Sequence, residues 1–361
     1  QLSSMLSSVV RHGKSQLTLQ SRAFALAAKH HVCGNPLKVL KLEEVDSMDT
    51  SKIGAKDVAL KMLAAPINPS DTLMVQGRYG IAAKLPAVAG NEGVGVVQAV
   101  GNDVSSFKVG DWVIPRGGGF GTWCQEAVVP DAAVDKVAND IPAAYAATIG
   151  VNPCTAYRLL KDFGNLQPGD FIIQNAANSM VGLCVIQMAN LMGIKTINVI
   201  RHDRPDVFEE LRLLDNLGGT INVTDEYLNS AGFKEIMGDI STLKVGFNAV
   251  GGESANDIAR ALPHGTTMVT YGGMSNRPIE IAQETLNYKQ LKMKGFWISQ
   301  WTVDNSAEDR ADMLEDIAGT SHTGCVLCLL LMCWGDHAVS SHIVIIVFSQ
   351  AGFARSSCVI S

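Results

Sequence analysis

The stretch FIIQNAANSMVGLCVIQMANLMGIKTINVI, residues 171–200, decides the fold. An apolar run, Phe171–Gln174, precedes a turn, a helix predicted from about Ser179 to Met192 and a second predicted strand, Thr196–Ile200. Further strands are predicted at 220–223, 245–250, 267–271 and 291–298, and a polar helix near 206–217. Apolar strands that alternate with helices indicate a parallel, doubly wound sheet, which binds a nucleotide at its strand ends.

The preceding part of the chain, residues 57–129, has a different pattern. Val58, Leu60 and Met62 alternate with other residues, and short apolar runs at 93–97 and 111–114 are separated by glycine and proline. Short strands of this kind favour a compact antiparallel barrel. The 361 residues are enough for two domains of ordinary size.

The charges divide the chain into three regions. Residues 1–42 contain six Lys or Arg and no acidic residue, which predicts a mitochondrial-type transit peptide, with a disordered basic tail as the alternative. Residues 43–319 contain 22 basic and 34 acidic residues, so no surface for nucleic acid is predicted. Residues 320–361 contain two charged residues, and this abrupt change after Gly319 suggests a translated intron or a shifted frame. No apolar run is long enough for membrane insertion.

The cysteines give little indication of a metal site. Four of them, Cys33, Cys124, Cys154 and Cys184, lie singly in apolar sequence and are predicted to be buried thiols. Cys325 and Cys328 have CxxC spacing without a second ligand pair, so metal binding there is the less favoured interpretation.

The turn QNAANSMVG, residues 174–182, follows a strand and opens a helix, so its backbone N–H groups and the helix dipole can face a pyrophosphate. Small residues stand where the backbone must approach phosphate, and Gly182 stands where helix meets strand. The full G-x-G-x-x-G is absent, and an ordinary turn capped by Asn178 or Ser179 remains the alternative.

Arg201-His202-Asp203-Arg204-Pro205 follows the second strand, about 20 residues after the turn, where an NAD-dependent enzyme places Asp or Glu against the ribose 2′-hydroxyl. Two arginines there can bind a 2′-phosphate instead, so NADPH is the expected cofactor. A solvated charged loop, or a ribose contact from Asp203, is the alternative.

The segment Gln76-Gly77-Arg78-Tyr79-Gly80 is a predicted loop that can present the Tyr79 hydroxyl to a site. Tyrosine keeps its proton at neutral pH, as a proton donor or oxyanion stabiliser must. A buried or surface tyrosine without function is the alternative.

Several segments together resemble a known family. Residues 68–71 (NPSD), 90–95 (GNEGVG) and 109–113 (VGDWV), with the turn at 176–182, resemble the medium-chain dehydrogenase/reductase superfamily. Residues 76–79, 201–205, 271–274 (YGGM) and 296–299 (FWIS) narrow the resemblance to mitochondrial trans-2-enoyl thioester reductases over about 38–319. The fold it implies is α/β, with a GroES-like β-barrel catalytic domain and a Rossmann-type, doubly wound parallel-sheet domain for NADPH.

The resemblance divides the chain into five expected regions. They are 1–37 for the transit peptide, 38–150 for the catalytic domain, 151–290 for the NADPH-binding domain, 291–319 for the start of a return to the catalytic domain, and 320–361 for an aberrant apolar, Cys-rich tail. The return is thus expected to be cut short, and with it a lysine that reaches NADPH in the family.

The resemblance also implies site residues. Tyr79 is expected to be the proton donor, and Trp297 part of the acyl pocket wall. The expected NADPH contacts are Asn152, Asn178, Ser179, Met180, Val181, Arg201, His202, Asp203, Tyr271, Gly272, Gly273, Met274, Phe296, Trp297, Ile298 and Ser299. Arg204 is added to these from its charge and spacing alone.

The implied activity is NADPH-dependent reduction of trans-2-enoyl thioesters, on acyl carrier protein or CoA, in fatty acid synthesis in the mitochondrial matrix, by a homodimer. Zinc is not expected, because Asn91 stands where zinc enzymes of the superfamily have histidine and no structural four-cysteine cluster is present. Two alternatives remain: a zinc-free NADPH quinone oxidoreductase, and a catalytically impaired product with an altered C-terminus.

Overall fold

A computed structural model describes residues 24–322, 345–349 and 352–354. The first domain contains eight strands: β1 Phe24–His30, β2 Lys41–Asp46, β3 Asp57–Pro66, β4 Ala87–Val88, β5 Val94–Val100, β6 Trp112–Pro115, β7 Glu126–Pro130 and β8 Val134–Val137. Its helices are α1 Pro36–Val39, α2 Pro69–Val75 and α3 Ala143–Thr148. Antiparallel pairing joins β3 to β5 and β7, β5 to β6, and β6 to β8, so the predicted antiparallel strands form one curled sheet.

The second domain contains a parallel sheet of six strands in the order β11-β10-β9-β12-β13-β14. These strands are β9 Phe171–Gln174, β10 Lys195–Ile200, β11 Ile221–Thr224, β12 Leu243–Asn248, β13 Thr267–Thr270 and β14 Lys292–Gly295. The helices are α4 Asn152–Asp162, α5 Met180–Leu191, α6 Val207–Asn216, α7 Asp225–Leu228, α8 Ala231–Gly238, α9 Gly252–Ala261, α10 Gln283–Tyr288, α11 Ile298–Asp304 and α12 Ala307–His322. The doubly wound sheet predicted from residues 171–200 is confirmed.

The strand predicted at 291–298 is shorter than expected. It ends at Gly295, and α11 begins at Ile298. The apolar residues 296–298 that extended the prediction pack beside the domain interface instead: Phe296 and Ile298 both contact the core cluster that contains Ile114 of the first domain and Phe247 of the second. One continuous core therefore joins the two domains and fixes the cleft between them.

The N-terminal boundary differs from the expected one at residue 37. Strand β1 pairs with β2 along its length and with β4, and α1 follows it. Ala25 and Ala27 of β1 are buried, so the basic composition of this region concealed an alternating strand. The folded chain therefore includes Phe24, and the predicted leader before that residue lies outside the described residues.

The C-terminal return to the first domain is partly described. Helix α12 packs against α4 and β8. Strand β15, Ile345–Ser349, pairs antiparallel with residues 64–66 of β3, and β16, Gly352–Ala354, pairs with β15. Two strands thus occupy the segment that was expected to be an aberrant tail. Cys325 and Cys328 lie outside the described residues.

The burial of the cysteines partly follows the sequence prediction. Cys124, Cys154 and Cys184 are buried, as predicted, but Cys33 is exposed because it lies in the turn that follows β1. Within the described residues, no helix combines the length and apolar character that a membrane span requires.

Candidate active site

Tyr79 is placed by the end of helix α2. Asn68 caps the start of α2 and Pro69 takes its first position. At the other end, Gly77 adopts φ of 72°, its N–H donates to Met74 O, and Arg78 N donates to Leu73 O. This pattern is a Schellman motif, which needs a glycine at the left-handed position. It ends the helix at Val75, four residues before Tyr79, and the chain then reaches the domain interface.

Across the domain interface, Trp297 meets Tyr79. The indole Nε1 donates to the Tyr79 hydroxyl oxygen over 2.9 Å, and the two rings are perpendicular with centroids 5.7 Å apart. Trp297 lies between β14 and α11, and Arg78 Nη2 also donates across the interface to Asn276 Oδ1 over 3.0 Å. Because Tyr79 accepts from Trp297, its own O–H is left to donate elsewhere.

A buried polar network underlies this contact. Glu92 is 2% exposed, and its carboxylate accepts from Asn68 Nδ2 over 2.7 Å and from Val151 N over 2.8 Å. Asn68 Oδ1 in turn accepts from Asn152 Nδ2 over 3.0 Å. The network therefore connects α2 of the first domain to the first residue of α4, which is one of the predicted NADPH contacts.

A second carboxylate continues the network. Asp71 accepts from the backbone N–H of Asn68 and from both the backbone N–H and the side-chain amide of Asn91, at 2.6 to 2.8 Å. Asn91 Oδ1 then accepts from Gly119 N over 2.6 Å. Burial raises the pKa of Asp71 to about 6 and the pKa of Glu92 to about 8. Burial therefore favours the protonated form of Glu92.

This raised pKa predicts a pH dependence of stability. An unfolded Glu92 ionises near its ordinary pKa of 4.5, whereas the folded one ionises near 8, so this residue lowers the free energy of unfolding as pH rises between those values. Glu92→Gln imitates the protonated form, so the variant should not show the fall in the free energy of unfolding that Glu92 causes as pH rises. We expect the free energy of unfolding of the variant, measured in urea, to rise relative to that of the wild type as the pH increases from 5 to 8. Parallel pH profiles would contradict the assignment.

Tyr79 and two members of the network, Asn91 and Glu92, line one cleft between the domains. Its first-domain wall includes Ser70, Tyr79, Asn91, Glu92 and residues 114–118. The opposite wall includes Gly150, Val151, Ile298, Ser299, Thr302 and Arg310. The predicted site residues Tyr79, Ile298 and Ser299 are thus brought together. Glu92 and Arg310 had not been identified from sequence as site residues.

The predicted dinucleotide turn lies between β9 and α5. Ala176 adopts φ of 48°, and Ser179 caps α5 by accepting from Gly182 N. A Cβ added at Gly182 would lie 2.5 Å from Ala177 O, so only glycine fits there. The first N–H groups of α5, at Met180 and Val181, have no partner within the helix and can bind an anion.

Tyr271 follows β13 and lies beside this turn. Its hydroxyl is buried and approaches Ser179 without reaching hydrogen-bond geometry. Burial also raises the pKa of Tyr271, so the hydroxyl keeps its proton. A buried O–H without a partner is costly, and a bound polar ligand at the turn would satisfy it. The residues present therefore fit a dinucleotide, with Gly272, Gly273 and Met274 next in the chain.

The two arginines of the predicted 2′-phosphate loop have different surroundings. The Arg201 side chain is 66% exposed, at the end of β10, and its nearest charged partner is Asp203 at 3.7 Å. Arg204 pairs with Asp206 at 3.2 Å and with buried Glu210 at 2.6 Å, and Glu210 also accepts from Asn178. Arg204, added to the cofactor set on charge and spacing, is thus committed to holding α6 against the turn.

His202 is held in place by Asp225. Its backbone N–H and its ring Nδ1 both contact Asp225 Oδ1, at 2.9 and 2.7 Å, which raises the pKa of His202. The contact ties the loop to the start of α7 and leaves Arg201 as the guanidinium open to a ligand.

Comparisons with known proteins identify the family of the chain. The alcohol dehydrogenase GroES-like domain family matches residues 54–139, and the zinc-binding dehydrogenase family matches residues 181–318. The mitochondrial enoyl-acyl-carrier-protein reductase of Mus musculus is 47% identical over 319 residues, which cover 87% of this chain and 84% of the mouse protein. The Homo sapiens enzyme is 48% identical over 294 residues, 81% and 77% of the two chains. The chain belongs to the family of mitochondrial enoyl-acyl-carrier-protein reductases.

Solved structures place the family on the same fold. The mitochondrial 2-enoyl thioester reductase heterodimer of Candida tropicalis, Etr1p with Etr2p, superimposes with a TM-score of 0.78 at 34% identity and covers 84% of this chain and 89% of its own. A complex of Etr1p with NADP and crotonyl-CoA gives a TM-score of 0.79 at 34% identity, with the same coverage. A quinone reductase of Bacillus thuringiensis, 23% identical with a TM-score of 0.75, shares the fold alone.

Asn91, which the resemblance places at the position of a histidine in zinc enzymes, has two partners in the network. Asn91 is bound to Asp71 and Gly119 in the network. In the part of the chain that the structure describes, no group of three or more His, Cys, Asp or Glu side chains is arranged to hold a metal ion.

Proposed function

We propose that this chain reduces trans-2-enoyl thioesters, carried by acyl carrier protein or CoA, to saturated acyl thioesters with NADPH, in the mitochondrion. The observation that carries the proposal is the hydrogen bond from Trp297 to Tyr79 at the interdomain cleft, in a chain whose turn between β9 and α5 fits a dinucleotide. Relatives at 47 to 48% identity are enoyl-acyl-carrier-protein reductases, and a similar enzyme has been solved with NADP and crotonyl-CoA.

Each part of the reaction has candidate residues. When bound, NADPH would supply a hydride to the β-carbon of the enoyl group. Negative charge then develops on the thioester oxygen, where the Tyr79 O–H can donate a hydrogen bond or pass a proton towards the α-carbon. Donation from Trp297 to the Tyr79 oxygen polarises that O–H and strengthens it as a donor.

The remaining residues hold the cofactor. Met180 and Val181 offer backbone N–H groups to the pyrophosphate, and Arg201 offers its guanidinium to the 2′-phosphate. Asn152, fixed by Asn68, stands at the start of α4 on the cofactor side of the network. Phe296, held edge-on against Phe163 with ring centroids 6.0 Å apart, supports the segment that leads into Trp297.

Trp297→Phe tests the polarisation of Tyr79. A single neutral hydrogen bond contributes about 0.5 to 1.5 kcal/mol, so its loss should lower kcat about two- to tenfold with little change in NADPH affinity. Trp301→Phe, one turn along α11, is the control, because Trp301 stacks on Arg158 instead. Equal losses in both variants would assign Trp297 to packing alone.

Substrate class is tested by NADPH oxidation with crotonyl thioesters of CoA and of acyl carrier protein, and with benzoquinone. We expect turnover with both thioesters and little with benzoquinone. Turnover with benzoquinone alone would indicate a quinone oxidoreductase, and no turnover with any of them would indicate a catalytically impaired chain.

The relative from Candida tropicalis is a heterodimer, and we propose that this chain forms a homodimer. The edge strand β14 supports this proposal, because all four of its residues are exposed and it has a sheet neighbour only in β13 among the described strands. Light scattering at micromolar concentration should give twice the mass of the chain, and a monomer mass would contradict the proposal.

A further inference from the structure

Arg310 is a buried charge within the cleft. It belongs to α12 and is 3% exposed, although most arginines lie at protein surfaces. A buried guanidinium is tolerated only when its N–H groups are paired, so its partners show what it holds together.

The partners of Arg310 lie on both sides of the cleft. Its Nε donates to Asp135 Oδ2 of β8 over 2.7 Å, and its Nη2 lies 3.4 Å from Pro115 O at the end of β6. Its Nη1 donates to Thr302 Oγ1 of α11 over 3.0 Å. The side chain therefore spans from the first-domain wall to the opposite wall.

The guanidinium lies in the same cleft as the predicted proton donor. Gly150, Ile114 and Arg310 all line the cleft together with Tyr79. A group bound in this cleft beside Tyr79 therefore shares it with a charged side chain that is paired with both walls.

We propose that Arg310 closes the inner end of the cleft and thereby limits the length of acyl chain that the enzyme reduces efficiently. The proposal rests on the proposed reduction of enoyl thioesters and specifies the substrates of that same site. Arg310 is a specificity-determining residue here and has no part in hydride or proton transfer.

The physical reason is the cost of placing methylene groups against a paired guanidinium. A buried methylene contributes about 0.8 kcal/mol when apolar groups surround it. Arg310 and Arg116 both bind Asp135, so two cations share one carboxylate at this end of the cleft. Longer acyl chains must displace this polar cluster or remain outside it. In either case their outer methylene groups lose the favourable free energy of burial among apolar groups.

Arg310→Met tests the proposal with little risk to folding. Methionine is apolar, flexible and of similar reach, and Asp135 keeps its contacts with Arg116 at 2.5 and 2.8 Å, so no buried carboxylate is left unpaired. The measurement is kcat/KM with NADPH for trans-2-butenoyl, trans-2-hexenoyl and trans-2-decenoyl-CoA. We expect the ratio of decenoyl to butenoyl kcat/KM to rise about tenfold over the wild type, chiefly through KM for the decenoyl substrate.

Two further variants complete the experiment. Arg158→Met, the control, removes a paired arginine that does not line the cleft, and its ratio should match the wild type. Arg310→Gln keeps a donor for Asp135 at shorter reach, so it should shift the ratio in the same direction if the methionine variant fails to fold. A purely structural role would lower all three rates together.

The outcomes separate the two proposals. Wild-type turnover with a ratio that neither Arg310 variant changes overturns the role of Arg310 alone. Absence of wild-type turnover with all three thioesters overturns the proposed function, and the chain-length limit with it.

Discussion

Replacing Tyr79 with phenylalanine should lower turnover of crotonyl-CoA about a hundred- to a thousandfold, the usual effect of removing one preorganised donor to a developing oxyanion. The variant keeps the aromatic ring and its perpendicular packing on Trp297. What it loses is the O–H that we propose as the donor to the substrate, and the acceptor that Trp297 uses. The affinity for NADPH should stay nearly unchanged, because Tyr79 is not among the proposed contacts of the cofactor.

The measurement is single-turnover NADPH oxidation together with NADPH binding followed by fluorescence. Tyr288→Phe is a matched control, because Tyr288 is exposed on α10 in the second domain and should tolerate loss of its hydroxyl. Wild-type turnover in Tyr79→Phe would remove Tyr79 from the mechanism and leave water as the proton source.

Replacing Arg201 with alanine should weaken NADPH binding about ten- to a hundredfold and leave the weaker binding of NADH nearly unchanged. Charge-assisted hydrogen bonds contribute about 1.5 to 3 kcal/mol, which corresponds to that range. Arg201 is the exposed arginine at the end of β10, whereas Arg204 is held by Asp206 and Glu210. Arg201 should therefore determine the preference for NADPH by itself.

The matched controls separate recognition from folding. Arg212→Ala removes an exposed arginine from α6 of the same domain and should change neither affinity. Arg204→Ala should lower the unfolding temperature, because it leaves buried Glu210 without its cation. Equal weakening of NADPH and NADH binding by Arg201→Ala would show that Arg201 does not contact the 2′-phosphate.

The sequence predicted the second domain well because its pattern is local. The alternation of apolar strands and helices in residues 171–200 is a property of neighbouring residues, and so is the requirement for glycine at position 182. The first domain was harder to predict at its start. Lys29 and its basic neighbours suggested a leader, but β1 is held by partners at 41–46 and 87–88 that no local pattern shows.

The cleft residues that the sequence did not reveal are those with distant partners. Arg310 lies in a polar helix beginning Ala307-Glu308-Asp309, typical of an exposed surface, and it is buried only because β8 supplies Asp135. Glu92 belongs to a recognised glycine-rich segment, but its raised pKa depends on burial between two domains. The pairing of Arg204 could not be predicted for the same reason, because its partner Glu210 lies six residues further on and one helical turn into α6.

The most direct test of the proposed reaction is the position of the transferred hydrogen. NADPH carrying deuterium as the transferable hydride should place one deuterium on the β-carbon of the butyryl product of crotonyl-CoA, and deuterated water should place one on the α-carbon. Mass spectrometry of the product measures both positions. A label on the α-carbon from the cofactor, or an unlabelled product from deuterated NADPH, would contradict reduction by hydride transfer to an enoyl thioester.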